Sequence, residues 1–532
     1  INFMKGIILF FMMLCFGISH SQSPKFTFVL GPEYILPRHT SNIGFFGNET
    51  DGIMNFSLKK DELFINKFDP KTLEQTKTIS IALTERTRNF NHEGIYDIGL
   101  NYYWLHSDWD KDNEKESLYA DKIDLKTGKI SILNKKLFST TKVAGASILV
   151  KIIGKYNFNF DADRKYMLVN YRLVPEEKND RKNFDKIGLQ VFDADMNKVW
   201  GSEFRLPYTE AVMDNNDFSI DSKGNAYLLA KVFDSEDRRE KDRATGKPAY
   251  HYEVFKFSKG KSDFTKTIIE VGDYFIHQTV IIESTTHDMI IASTYSKKAK
   301  SNTTDGVFLA MVDTAGNIKK YKNGYYEFPL EEMTKYESAR AKRRMERRSD
   351  YELPNLVARK IIVNQDGSLF LGFEEFEINI TENPPSNVGR RYTYQYRYDN
   401  IYGAKINSNG KFDWMRKIPK AQLSYVSMWG SMSYKLIADS SGYYFLYLDH
   451  KKNMNLDVDE KPKTHIDMHG GQVVVSKIDL QGNVTKDLLF DVRDEDIIFY
   501  PTLFNAINSN QFIGRAEMKG GGFKPLLITR KE

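Results

Sequence analysis

The chain has 532 residues, 41% of them hydrophobic and 13% aromatic, enough to bury a large core. Its 76 Lys and Arg against 71 Asp and Glu leave a net charge of +5, so the overall balance gives no reason to expect a nucleic-acid or membrane-surface binder. The single cysteine, Cys15, lies near the N-terminus, which excludes disulfides, thiol catalysis and Cys-ligated metal from everything after it.

Ile7 to Ile18 is apolar but short of the roughly 20 residues that span a bilayer. Ser19-His20-Ser21 then offers small residues where a signal peptidase reads them. The expectation is a signal peptide over residues 1–21, export, and a mature chain beginning near Gln22. A short membrane anchor is the alternative. Lipid anchoring at Cys15 is a lesser reading, because Leu14 stands where a lipidation motif wants a small residue. No long apolar run follows, so the mature chain is not expected to be an integral membrane protein.

From there on, strand-turn-strand units recur. The clearest runs from Ile361 to Lys420: strand, Asn364-Gln365-Asp366-Gly367 turn, strand, loop, strand, Asn407-Ser408-Asn409-Gly410 turn, and a strand ending near Trp414. Asp and Asn cap their own backbone in such turns, and Gly supplies positive φ. Seven such units fall at about residues 40–82, 93–140, 147–208, 216–272, 275–328, 355–420 and 432–492. The tail from Tyr500 to Arg530 supplies three more strands, and Phe26 to Leu30 has no local partner. Pairing the two ends closes a ring and removes two exposed sheet edges. The expected fold is all-β: a β-propeller of eight four-stranded blades in one domain over 22–532, with seven blades as the alternative. Pro329 to Pro354 is the one expected helix, an insertion with Glu331 and Glu332 at its start and arginines at its end.

In a four-stranded meander the first and third turns share one face of the ring. Here those turns are tight. The second loops and the connections between blades emerge on the opposite face, and there they are long and charged, which marks it as the binding side. Arg340, Arg343, Arg344, Arg347 and Arg348 make a basic cluster on the insertion, suited to an acidic partner, a phosphate or an anionic glycan. Tyr392, Tyr394, Tyr396 and Tyr398 alternate with Arg391 and Arg397, which places the tyrosines on one face of a strand and the arginines on the other. Asp108, Asp110, Asp112 and Glu116 have part of the spacing of a calcium loop, whose closing bidentate Glu is replaced by Tyr119. His465, Asp467 and His469 would align along a strand as three metal ligands. The second set would suit zinc with an open position, and the expectation is no cofactor other than a structural calcium at the first. No Gly-x-Ser-x-Gly, Walker loop or dinucleotide fingerprint occurs. Acidic neighbours such as Glu374-Glu375 do not by themselves define a glycosidase pair.

Tyr402-Gly403-Ala404-Lys405-Ile406, Gly410-Lys411, Trp414, Ile418-Pro419-Lys420 and Gln422, with Asp366-Gly367, Glu374-Glu375 and Tyr444 to Asn453, resemble a segment of exported Bacteroidetes β-propeller-like proteins of uncharacterised function. The likeness covers about residues 355–455. It implies an exported bacterial propeller, periplasmic or associated with the outer membrane, and supplies no catalytic residues. Asp313-Thr314-Ala315 resembles the O-glycosylation motif of such proteins, making Thr314 a candidate acceptor. The leading expectation is a non-enzymatic binding or scaffold protein holding an envelope protein or a glycan, with no nucleic acid. The alternative is a glycan-active hydrolase or lyase working in a central pocket.

Overall fold

Alternating apolar strands and Asp-led turns build eight blades around an axis. The computed structural model describes residues 25–531 apart from 49, 60–61, 84–89, 100, 149–150, 177–179, 300–301, 321, 349, 383–391, 426–431, 508–509 and 520. The expected signal peptide, Cys15 and Arg391 lie outside the described residues.

Blade one comprises Ser41–Asn48, Gly52–Lys59, Glu62–Phe68 and Gln75–Ala82; blade two Asn91–Ile98, Asn101–Asp110, Lys115–Ile123 and Ile130–Thr140. Blade three runs over Tyr156–Phe160, Tyr166–Arg172, Phe184–Asp193 and Lys198–Thr209, and blade four over Met213–Ile220, Ala226–Phe233, Tyr250–Phe257 and Thr265–Ile269. Blade five is Phe275–Glu283, Met289–Ser296, Gly306–Val312 and a two-part outer strand, Ile318–Lys319 and Tyr325–Glu327. Blade six is Leu356–Val363, Leu369–Glu382, Tyr392–Ile406 and Phe412–Ile418; blade seven Tyr434–Asp439, Gly442–Asp449, Gln472–Asp479 and Val484–Asp491. Blade eight takes Asn505–Ile507, Gln511–Met518 and Phe523–Arg530 from the tail and its outermost strand, Phe26–Leu30, from the start of the described chain.

That last pairing is antiparallel, from Phe26 opposite Arg530 to Leu30 opposite Leu526. Phe26 meets Tyr444 edge-on at 5.8 Å and Phe28 packs on Phe490 at 4.3 Å, so the closing strand also buries against blade seven. The hydrophobic core falls into eight clusters, one between each pair of neighbouring blades, including blades eight and one. A ring missing one strand would open one of these layers to water.

The turns of the tight face share a mechanism. In Asp193 to Asn197, Asp221 to Asn225, Asp313 to Asn317 and Asp479 to Asn483, one Asp carboxylate oxygen accepts the N–H groups two and four residues on, at 2.7–3.0 Å. The Asn amide donates back to the other oxygen at 2.8–3.1 Å. These are Asx turns written four times in the sequence. Trp200 and Trp414 each donate an indole N–H to a turn of the next blade, to Gly224 O and Leu480 O.

The insertion folds as two short helices, α1 (Leu330–Thr334) and α2 (Ala339–Glu346). Lys335 turns extended and Tyr336 takes a φ of 58°, which ends α1; Ser338 then caps α2 by accepting from Ala341 N. Met333 is buried and Lys417 donates to its carbonyl, which seats α1 on the outer strand of blade six. Leu353–Pro354 pairs with Thr303–Thr304 beside blade five, while Lys342 meets Asp459 and Tyr336 N donates to Val458 O beside blade seven. The insertion thus straddles blade six.

Candidate functional site

On the long-loop face the second and third strands of blade six run past the ring as a two-stranded arm. Ile380 faces Tyr394, Ile378 faces Tyr396 and Phe376 faces Tyr398 across it. The expected ladder is present: Tyr398 is buried at the base, Tyr394 and Tyr396 stack at 6.3 Å, and Tyr392 is exposed at the tip. Ile378, Ile380, Tyr392 and Tyr394 are 42%, 59%, 47% and 42% exposed, a contiguous apolar patch of the kind that marks interaction surfaces. Arg397 lies on the opposite face, held by Asp399 at 3.0 Å. Gln422–Ser424 pairs with the arm's base, and His465–Ile466 pairs with that strand in parallel.

All five arginines of the insertion are exposed, and among the described residues none has a carboxylate within ion-pair distance. Arg343 donates to Ala339 O of its own helix. The arm and α2 stand on the same side of the ring, and the loop between Asp449 and Gln472 runs from one to the other. Tyr274, Tyr295 and Tyr325 wall a further cleft of about 700 Å³ between blades four and five on this side.

A third feature sits at the axis. The innermost strands of blades one, two, four, five and six carry a register shift near their loop-face ends. Such bulges re-aim a side chain. In blade six the displaced residue is Arg359, whose guanidinium meets Glu374 at 2.8–2.9 Å. Glu374 is fully buried and also accepts from Lys420 at 2.8 Å and Ser433 at 2.8 Å. Lys420 completes its donors on Tyr398 O and Gln422. Beside this network a cavity of about 310 Å³ is lined by Arg359, Lys360, Tyr398, Met432, Ser433, Tyr434, Lys435, Leu436 and Thr502. Burial, and then the positive charge of Lys360, hold the Lys435 ammonium below its ordinary pKa.

The remaining expected site residues are dispersed. Asp108–Asp110 continues a strand paired to Lys115–Ser117, so the expected loop is a tight hairpin closed by Asp110 accepting from Asp112 N and Asn113 N. Glu116 points inward into a buried ion pair with Lys155 at 2.7 Å, away from Asp110 and Asp112. His465 and Asp467 are buried on one side, but Met468 at φ 65° turns the chain and leaves His469 exposed. Burial holds the His465 imidazole down to a pKa of about 4, so it is neutral at physiological pH. Among the described residues no three His, Cys, Asp or Glu side chains group in a way that could hold a metal ion. Thr314 is exposed on an Asp-capped turn of the tight face. Glu374 and Glu375 diverge: Glu375 accepts from Tyr402 at 2.6 Å and Asn400 at 3.0 Å. On the tight face a cavity of about 600 Å³ opens where blade five's outer strand shortens to Ile318–Lys319; its walls, Ile290, Leu309, Leu369 and Ile406, belong to the core between blades.

Of the axial residues, Tyr398 was singled out from sequence as part of the tyrosine ladder, and Arg359, Lys360, Ser433 and Lys435 were not. The available signal was Arg359-Lys360, two adjacent cations in an innermost strand where apolar residues are expected.

No protein-family model matches the chain. No curated protein matches it either. Among solved structures it is similar to the polysaccharide lyase Uly1, at 11% identity and a TM-score of 0.38 over 83% of this chain and 90% of that one. It is similar to the β-propeller domain of the Trilobed protease from Pyrococcus furiosus, at 8% identity and 0.32 over 84% and 98%. It also resembles a prolyl endopeptidase, at 9% and 0.34 over 78% of this chain and 55% of that one. These likenesses are too distant to bear on chemistry. Eight blades closed by the first and last strands define the chain as a β-propeller. Among the described residues no helix is long and apolar enough to cross a membrane.

Proposed function

We propose that this is an exported binding or scaffold propeller of a bacterial cell envelope, which presents its long-loop face to a protein or glycan partner. The observation that carries the reading is the arm: a paired, rigid strand extension whose Ile378, Ile380, Tyr392 and Tyr394 stay exposed. Tyr and Arg dominate binding hot spots, and the insertion adds exposed guanidiniums on the same face. The apolar segment before Gln22 supports export, as does the resemblance over residues 355–455.

The test is capture from envelope extracts by the wild-type chain and by an Ile380→Ser, Tyr394→Ser variant. Specific partners retained by the wild type and lost by the folded variant support the proposal. Equal capture rejects it.

A second reading is a glycan-active hydrolase or lyase working at the axis, and what favours it is the cavity beside Arg359, Lys360 and Tyr398. Turnover of an oligosaccharide by the purified chain, abolished by Arg359→Ala, would establish it.

A further inference from the structure

The axial cavity is cationic beyond what its own carboxylate neutralises. Glu374 is shared between Arg359 and Lys420, so that network is already balanced toward positive charge. Lys360 and Lys435 come on top of it. Neither has a carboxylate within ion-pair distance among the described residues, and they are close enough for the charge of Lys360 to act on Lys435. Bringing two ammonium groups together at a partly desolvated site costs stability. Lys360 is exposed, whereas Lys435 is half-buried on the innermost strand of blade seven. Tyr434, which also lines the cavity, is buried with a hydroxyl that has no hydrogen-bond partner among the described residues.

We propose that this cavity is a binding site for the anionic group of an acidic saccharide, with Lys360 and Lys435 as the charge-reading residues. The inference rests on the reading of the long-loop face as the binding face and names a ligand class for its axis. The size argues against a bare anion: about 310 Å³ is roughly ten times the volume of one water, at the small end of ligand cavities. A folded protein surface is a poorer fit, because Met432 and Tyr434, which line the cavity, are buried. A ring sugar bearing a carboxylate or sulfate arrives preorganised, whereas an acidic peptide must first be ordered, at a cost in affinity.

The experiment is calorimetric titration of the full chain with four probes: a galacturonate tetrasaccharide, a chondroitin sulfate tetrasaccharide, a neutral galactose tetrasaccharide and a tetraglutamate peptide. Expected is binding of at least one acidic saccharide, at least tenfold tighter than the neutral one, and weakening with salt. The Lys360→Gln, Lys435→Gln variant should lose that preference by tenfold or more. Lys435→Met, which removes a desolvated charge, should bind weakly while melting no lower than the wild type; this separates lost recognition from lost folding. Equal binding of neutral and acidic sugars, binding of the peptide alone, no binding of either acidic sugar, or an undiminished double variant would each overturn the proposal. The arm variant is independent of this site. If its partner loss persists while the saccharides fail, the face reading stands and only the ligand assignment falls.

Discussion

The two faces of the ring are built from the same strands but held together differently. On the turn face, short Asx turns leave few free polar groups and the blades are laced across the axis. Glu283 of blade five accepts from Ala162 N of blade three at 3.3 Å and from Ser222 N and Oγ of blade four at 2.8 Å. Its own His287 closes the set at 2.9 Å. On the loop face, charge is left over: five exposed arginines, two axial lysines with no ion pair among the described residues, and an apolar arm. One face spends its polar groups on closing the ring, and the other keeps them available. A well-tied first face is what allows the second to hold exposed chemistry in place.

The largest effect should come from removing the frame that both faces share. Deleting Ser23 to Gly31 takes away the outermost strand of blade eight, including the buried Phe26 and Phe28. Those two side chains alone are worth about 3–6 kcal/mol. The melting temperature should fall by many degrees, and the turn and loop faces should fail together. An unchanged melting temperature would mean that the ring does not depend on this closure.

Glu283→Ala should come next, and only on the turn face. The substitution leaves the amides of Ala162 and Ser222 without their acceptor near the axis, at a cost of about 2–4 kcal/mol. Urea unfolding should register this, while binding at the arm keeps its affinity in the folded fraction. If arm binding weakens in proportion, the two faces are coupled and the contrast between them is too sharp.

Asp217 offers a pH test of the innermost strands. Burial raises its carboxyl to a pKa of about 6, although Ile281 N and Phe218 N both donate to it at 2.9 Å. The folded state therefore favours the protonated form more than the unfolded state does. The stabilising contribution is full below pH 4 and is lost as pH rises from about 4 to about 6. Asp217→Asn should gain stability relative to the wild type across that window and show no further relative change above it. Parallel stability profiles from pH 4 to 7 would contradict the burial argument.

How legible was this in the sequence? The turns were, because Asp221, Asp313 and Asp479 act within four residues of themselves and the chain spells each one out. Closure was legible by elimination, since Phe26 to Leu30 had no nearby strand to pair with. The tyrosine ladder follows from period two alone. The axial site was not legible: Arg359, Lys420, Ser433 and Lys435 come from two blades and the connection between them, and only the packing of blade seven on blade six juxtaposes them. A strand shift at Arg359 also breaks the alternation that sequence reasoning relies on. Around Asp108 the spacing hid a partner for a related reason: Glu116 pairs with Lys155, in the connection leading into blade three.

The smallest effect on folding should come from the densest charge. Arg343, Arg344, Arg347 and Arg348 are exposed and form no ion pair among the described residues, so replacing all four by Ser removes no buried contact. The seat of the insertion is elsewhere, in Met333, Lys417, Lys342 with Asp459, and the pairing of Leu353 with Thr304. Exposed charges of this kind contribute little to stability. The melting temperature should therefore stay where it is, even though Arg343 and Arg344 complement the C-terminal end of α2. What should change is association. A partner attracted by these guanidiniums meets a field that salt screens over about 10 Å at 0.1 M, so wild-type binding should weaken as salt rises and the variant's should not. Surface plasmon resonance at two salt concentrations separates the outcomes. A variant with wild-type affinity and wild-type salt dependence would remove the insertion from the binding face and leave the arm and the axis to carry it.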